Sequence, residues 1–214
     1  SDSITFSGQV SLTTAGVSIN TVSGDITFGD ALNGIQALTL TAGAGMVSFV
    51  GAVGDSLTLG SLTVVSAGDI SIDSAMKVTG EISITGNSGV DIFLGTADVG
   101  GLSLTNAELD FITEAGSLAI TATGAGASIT VNGVTGGGNV DGVTRLASTD
   151  DKISFETTAS TFDNSLTVVV SDLDIAVAIG VTGSMSIIGN TGVDIFNGTG
   201  GVGLSVTNAE LALL

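Results

Sequence analysis

Residues 81–112 read EISITGNSGVDIFLGTADVGGLSLTNAELDFI, and residues 184–214 read SMSIIGNTGVDIFNGTGGVGLSVTNAELALL. Ile82 aligns with Met185, Asn87 with Asn190, Asp91 with Asp194 and Phe93 with Phe196, each pair 103 positions apart. One residue drops out near Gly100, after which Leu102 matches Leu204, Asn106 matches Asn208 and Glu108 matches Glu210. A period near one hundred residues exceeds a single supersecondary unit and suits several stacked units repeated as a block.

The grammar outside the repeat is that of short strands. Ile4-Thr5-Phe6, Val10-Ser11-Leu12, Val17-Ser18-Ile19 and Ile26-Thr27-Phe28 alternate apolar residues with Ser or Thr. That is the two-residue period of a half-buried strand. Gly, Asn and Asp fall between the runs, as at Gly24-Asp25 and Asn33-Gly34, where turns call for positive φ. No window carries helical spacing, so the chain is expected to be almost free of helix. Strands every seven to ten residues fit a sandwich, a barrel or a solenoid. The uniform strand length, the corner-like glycines and the long repeat favour a β-solenoid. A sandwich of this size usually buries Trp or Tyr, and the chain has neither. With about 20 residues per coil, one block is expected to make about five coils and about 24 Å of length. Residues 124–164 depart most from the pattern and are expected to form an irregular excursion within one continuous unit, 1–214.

Composition narrows the function. The 214 residues include 33 glycines and no Pro, Cys, His, Trp or Tyr. At 43% hydrophobic and 11% charged, the chain is too apolar to be disordered, while no run reaches the length of a membrane span. No charged and apolar leader opens it, so any export signal is expected to lie outside this stretch or to have been removed. Twenty-one acidic residues against Lys77, Arg145 and Lys152 give a net charge of −18. Nucleic acid and anionic membrane surfaces are therefore unsuitable partners. The acids are spread singly, which describes a solvated, self-repelling exterior.

Two stretches resemble a known family. Gly45-Met46-Val47-Ser48-Phe49-Val50-Gly51, with Leu59-Gly60-Ser61-Leu62-Thr63-Val64 and Ala67-Gly68-Asp69-Ile70, is similar to the repeats of filamentous-haemagglutinin-like bacterial exoproteins. Gly101 to Asp110, with Ile112-Thr113 and Gly116-Ser117-Leu118, resembles the very large β-strand-repeat surface proteins of the same kind. The resemblance covers most of the chain, by composition alone over residues 1–40. It implies a right-handed parallel β-helix at the bacterial cell surface, serving adhesion, biofilm or filament formation. It supplies no catalytic residues. It also implies a piece of a longer array, with neighbouring repeats or end-to-end copies as partners, and another cell surface or a glycan as a further one.

Three constellations bear on chemistry. Gly86 to Leu94 and Gly189 to Asn197 fit the calcium nonapeptide apart from one Gly→Asn change, which makes Asn87, Asp91, Asn190 and Asp194 candidate calcium ligands. The following segments lack an Asp in register, whereas calcium needs six to eight oxygens. The plainer reading is a tight corner with the Asp in water. Phe93 and Phe196 share outward parity with those Asp residues, giving either a repeated aromatic for lateral contact or rings turned inward at the corner. Asn106 and Asn208 are expected at a turn, where Asn side chains satisfy backbone groups. Catalysis is hard to assemble without His, Cys or Tyr. Only a carboxylate pair is left, Asp172 with Asp174 on one strand face or Asp150-Asp151, and no aromatic residue is available there to stack a sugar. The expectation is a non-enzymatic stalk or filament without a cofactor. Its alternatives are a calcium-dependent adhesive module and, more remotely, a carbohydrate-active β-helix.

Overall fold

The computed structural model describes residues 2–96, 100–135, 139–190, 195–197 and 204–206, with Ala212 and Leu214. The first coil holds β1 (Ile4–Phe6), β2 (Val10–Ser11) and β3 (Val17–Asn20). The second repeats the triplet as β4 (Ile26–Phe28), β5 (Leu32–Asn33) and β6 (Ala37–Thr41). In the third, β7 (Met46–Phe49) leads to β8 (Ser61–Ala67) by way of two isolated bridging residues, Val53 and Leu59. The fourth has β9 (Asp69–Ile72), β10 (Met76–Lys77) and β11 (Glu81–Gly86). The fifth is longer: β12 (Ile92–Gly95), β13 (Leu102–Thr105), helix α1 (Asn106–Phe111), β14 (Ile112–Ala115) and β15 (Ser117–Ala122).

Three regular coils follow. They are β16 (Ile129–Asn132), β17 (Asn139–Val140) and β18 (Thr144–Ser148), then β19 (Lys152–Phe155), β20 (Ser160–Phe162) and β21 (Leu166–Val170). The last is β22 (Asp172–Ile175), β23 (Ile179–Val181) and β24 (Met185–Gly189), after which come β25 (Ile195–Asn197) and β26 (Leu204–Val206). Residues 124–164, expected to be irregular, thus carry β16 to β20, with Ile129, Val131, Leu146, Ile153 and Phe155 fully buried. Their looser sequence reflects longer connections between the strands and one register shift, where β17 meets β14.

Every pairing among the described strands is parallel, and the strands stack into three faces. The third face is an eight-stranded sheet, in the order β3, β6, β8, β11, β15, β18, β21, β24. Its inward rank runs Val17, Leu38, Leu62, Ile82, Leu118, Thr144, Leu166, Met185. Those numbers give coils of 21, 24, 20, 36, 26, 22 and 19 residues. The 103 residues from Ile82 to Met185 therefore make four coils rather than five, because the fifth coil is so long.

Its extra length does something specific to the first face, which runs β1, β4, β7, β9 and then β13, β12, β16, β19, β22. The order of β12 and β13 is reversed relative to the chain. From β11 the chain first lays down β12, turns through Gly100 and Gly101, and returns to set β13 between β9 and β12. Between β9 and β22 this face therefore has one strand more than the third face has between β11 and β24. The repeat performs the same manoeuvre, since β25 pairs with β26 and β26 lies against β22. The duplicated sequence is thus a stepped strand pair, inserted once per four coils.

Inside, aliphatic ranks close one continuous core from Leu12 to Ile179. Phe6, Phe28 and Phe49 stack along the first face with centroids 5.0 and 5.4 Å apart and nearly parallel rings, the offset aromatic contact that stabilises successive coils. Ile82, Ile84, Ile92, Leu102 and Leu104 are fully buried, as their alternation requires. Val90, Met185 and Ile187 are half-buried and pack against the core, the first in a corner and the others on the outermost strand of their sheet. Val193 lies outside the described residues.

Candidate functional site

The stepped pair is where the repeat departs from plain stacking, and its outer flank carries the residues singled out by sequence. Several first-face strands are opened or immediately preceded by a residue whose side chain accepts a hydrogen bond from the adjoining coil. The Asp25 amide donates to Ser3 Oγ (3.0 Å) and the Met46 amide to Asp25 Oδ1 (2.9 Å). Ser103 donates its amide to Asp69 Oδ1 (2.9 Å). Asp91 belongs to the same row: its Oδ1 accepts both the amide and the hydroxyl of Ser128, each at 2.9 Å. A short side chain with an acceptor oxygen ties one coil to the next here, the same use Asp and Ser have at turns and caps.

Asn87 sits in the preceding corner, where its Oδ1 accepts from Ser66 Oγ at 3.0 Å and its carbonyl accepts the Val90 amide at 2.9 Å. Asn190 repeats the pairing, donating from Nδ2 to Ser171 Oγ (2.8 Å) and to the carbonyl of Ser148 (2.8 Å). Asp194 lies outside the described residues. Among those described, no three or more His, Cys, Asp or Glu side chains converge as a metal site.

Phe93 faces outward, since Ile92 and Leu94 on either side are buried. It is half-buried all the same. In register it stands between Ser103 of β13 and Thr130 of β16, and its ring edge comes within 3.4 Å of where a Cβ on Gly101 would sit. The ring lies over the glycine turn, and Ser103 beneath is only 5% exposed. Gly101 has φ +87, and a Cβ there would stand 2.6 Å from the Asp91 carbonyl oxygen, so the close return of the chain needs glycine. Phe196 holds the matching register opposite Ser205 by its backbone.

Helix α1 completes the flank. Thr105 caps it, and Glu108 closes a capping box by accepting the Thr105 amide at 2.8 Å. The other Glu108 oxygen accepts the amide of Ile72 in β9 at 3.2 Å. Between β9 and β13 there is no strand ladder, so Asp69 and Glu108 bridge the gap with two carboxylate contacts to backbone amides. Asn106 does satisfy backbone groups, but in the next coil: it donates to the Gly133 carbonyl (2.9 Å) and accepts the Thr135 amide (3.1 Å). No helical period announces α1, yet Thr105-Asn106-Ala107-Glu108 is a capping-box signature in the sequence.

Two hollows of about 530 and 420 Å³ adjoin on this flank and share Met46 and Asp69. Asp172 and Asp174 stand exposed on the outer side of β22. Lys152 is the register neighbour of Asp172, while Lys77 is 3.9 Å from the well-exposed Asp55, a solvent-screened contact of little energetic weight. Among the described residues no helix is long and apolar enough to cross a membrane.

Ladder, faces and stepped pair together define a parallel β-solenoid repeat protein. No family model matches the chain, and neither a curated protein nor a solved structure matches it.

Proposed function

We propose that this chain is a structural and adhesive segment of a large bacterial surface protein, working as a stiff, acidic stalk outside the cell. The observation that carries the reading is the unbroken eight-stranded parallel ladder, with one continuous core beneath it. In such a stack each coil contacts only its neighbours, and rigidity follows from the summed interfaces rather than from a globular centre. A net charge of −18 keeps neighbouring rods apart in dilute salt and permits sideways association only where cations or a partner screen it. The resemblance of residues 45–118 to surface exoprotein repeats supports the extracellular placement, and the same resemblance suggests neighbouring repeats or further copies, stacked end to end, as partners. No catalytic role is assigned.

The test is mechanical and cellular. Eight coils should give a rod about 38 Å long at about 4.8 Å per coil, visible by small-angle scattering. Displayed on a non-adherent bacterium, the segment should raise attachment to cells or glycan-coated surfaces. A globular scattering profile, or display without any gain in attachment, would remove the stalk or the adhesive half of the reading respectively.

A further inference from the structure

We propose that the groove between the first face and α1 is a docking site for a lysine-bearing, extended segment of a partner protein. The two hollows meet at Met46 and Asp69, with Val90 and Gly101 closing one side and Phe111, 36% exposed, the other. The hollows thus mix apolar Met46, Val90 and Phe111 with the carboxylates of Asp25, Asp69 and Glu108. Asp25 and Asp69 flank Met46 in one rank, two coil spacings or about 9.6 Å apart. One oxygen of each is held by backbone amides. The second oxygen of each has no hydrogen-bond partner among the described residues. No Lys or Arg lines either hollow.

The duplication shows what such a rank accommodates. Val47 is the neighbour of Ile26 and Ile70, and Ile153 that of Ile129 and Leu173. One place earlier, Asp25–Met46–Asp69 on the three first-face strands before the first stepped pair (the first block of this comparison) corresponds to Ser128–Lys152–Asp172 on the three before the second pair (the second block). The second block thus supplies its own ammonium at the place where the first has a thioether between two carboxylates. A lysine entering from a partner would lay its aliphatic stem on Met46 and bring its ammonium into the hollow that Asp25 and Asp69 both line, the place at which Lys152 neighbours Asp172 in the other rank. Side chains on one side of an extended segment recur at about 6.7 Å, so adjoining hollows suit alternate residues of a strand-like peptide. The inference rests on the groove's chemistry and is independent of the stalk reading.

The experiment titrates the full ¹⁵N-labelled chain with a short peptide of alternating Lys and Thr, and with the same peptide carrying norleucine for lysine. The expected result is localised amide shifts at Met46, Asp69, Ser71 and Gly101 with the lysine peptide only. Met46→Lys, which installs the second block's residue, should weaken binding about tenfold. Ser18→Lys adds the same charge on the exposed third face and should leave binding unchanged. If Met46→Lys fails to fold, Asp25→Ser, again the second block's residue, should show the same loss. Shifts scattered over the acidic surface, or equal weakening by Ser18→Lys, would reduce the effect to general polycation attraction and overturn the proposal.

Discussion

At Asp91 one carboxylate oxygen holds both the amide and the hydroxyl of Ser128, across the step from β12 to β16. Asp91→Ala should cost about 1 kcal/mol, since the freed amide lies near solvent and can turn to water. Millimolar calcium is expected to leave the melting temperature of parent and variant alike unchanged. A calcium-dependent rise confined to the parent would make the nonapeptide a metal site after all. Larger effects belong to residues that cannot relax. Gly95 has φ +107, and a Cβ there would lie 2.1 Å from the Asn132 carbonyl oxygen, on backbone that belongs to the paired strand β16. Gly95→Ala should cost at least about 2 kcal/mol, from strain at an unfavourable φ together with the displaced ladder. Ile84→Ala, at a fully buried position, falls in the usual range of about 2–5 kcal/mol. Chemical denaturation of each variant checks these values, and an Ile84→Ala change below 1 kcal/mol would mean the inward rank collapses freely around the missing atoms.

At the scale of elements, the seam between β9 and β13 is the unusual junction, because two carboxylates stand there in place of a ladder. Thr105→Ala removes only the helix cap and should cost about 1 kcal/mol. Glu108→Ala removes the cap's partner and also leaves the part-buried Ile72 amide unpaired, adding about 1–3 kcal/mol. Hydrogen exchange separates the two: the Ile72 amide should exchange faster in Glu108→Ala and normally in Thr105→Ala. Equal protection in both would show that Glu108 serves the helix alone. This seam also marks the limit of what the sequence makes legible. Alternation at Ile82-Ser83-Ile84 and Leu102-Ser103-Leu104 is enough to assign strands and their buried side, because period-two patterning is local. Nothing local says that Leu102–Thr105 returns beneath Ile92–Gly95, since both strands alternate alike and either order buries the same side chains. Only Gly100-Gly101 and the capping box hint at a sharp return followed by a helical turn. The groove was illegible for the same reason: it joins Asp25, Met46 and Phe111, which become neighbours only once coil lengths and strand order are known.

For the whole molecule, the repeat makes a strong demand on register. If residues 82–184 form an integral block of four coils, excising them should rejoin Glu81 to Met185 without a seam. Met185 would then face Leu62 in the rank Ile82 now occupies, and β26 would meet β9 as it now meets β22. Asp69 and Asp172 occupy equivalent places 103 residues apart, so the side-chain bridge across the junction is kept. The shortened chain should melt cooperatively, with lower stability because four nearest-neighbour interfaces are gone. Its maximum dimension in small-angle scattering should fall by about 19 Å, four spacings of about 4.8 Å. Removing one residue more, 82–185, supplies the control, because Ser186 then enters the inward rank and Ile187 and the residues after it change sides. That version should fail to form the last coil and should lose cooperative melting. If both deletions folded equally well, stacking would tolerate a shift of side-chain parity. The 103-residue period would then be a mark of how the sequence was duplicated rather than a structural requirement of the solenoid.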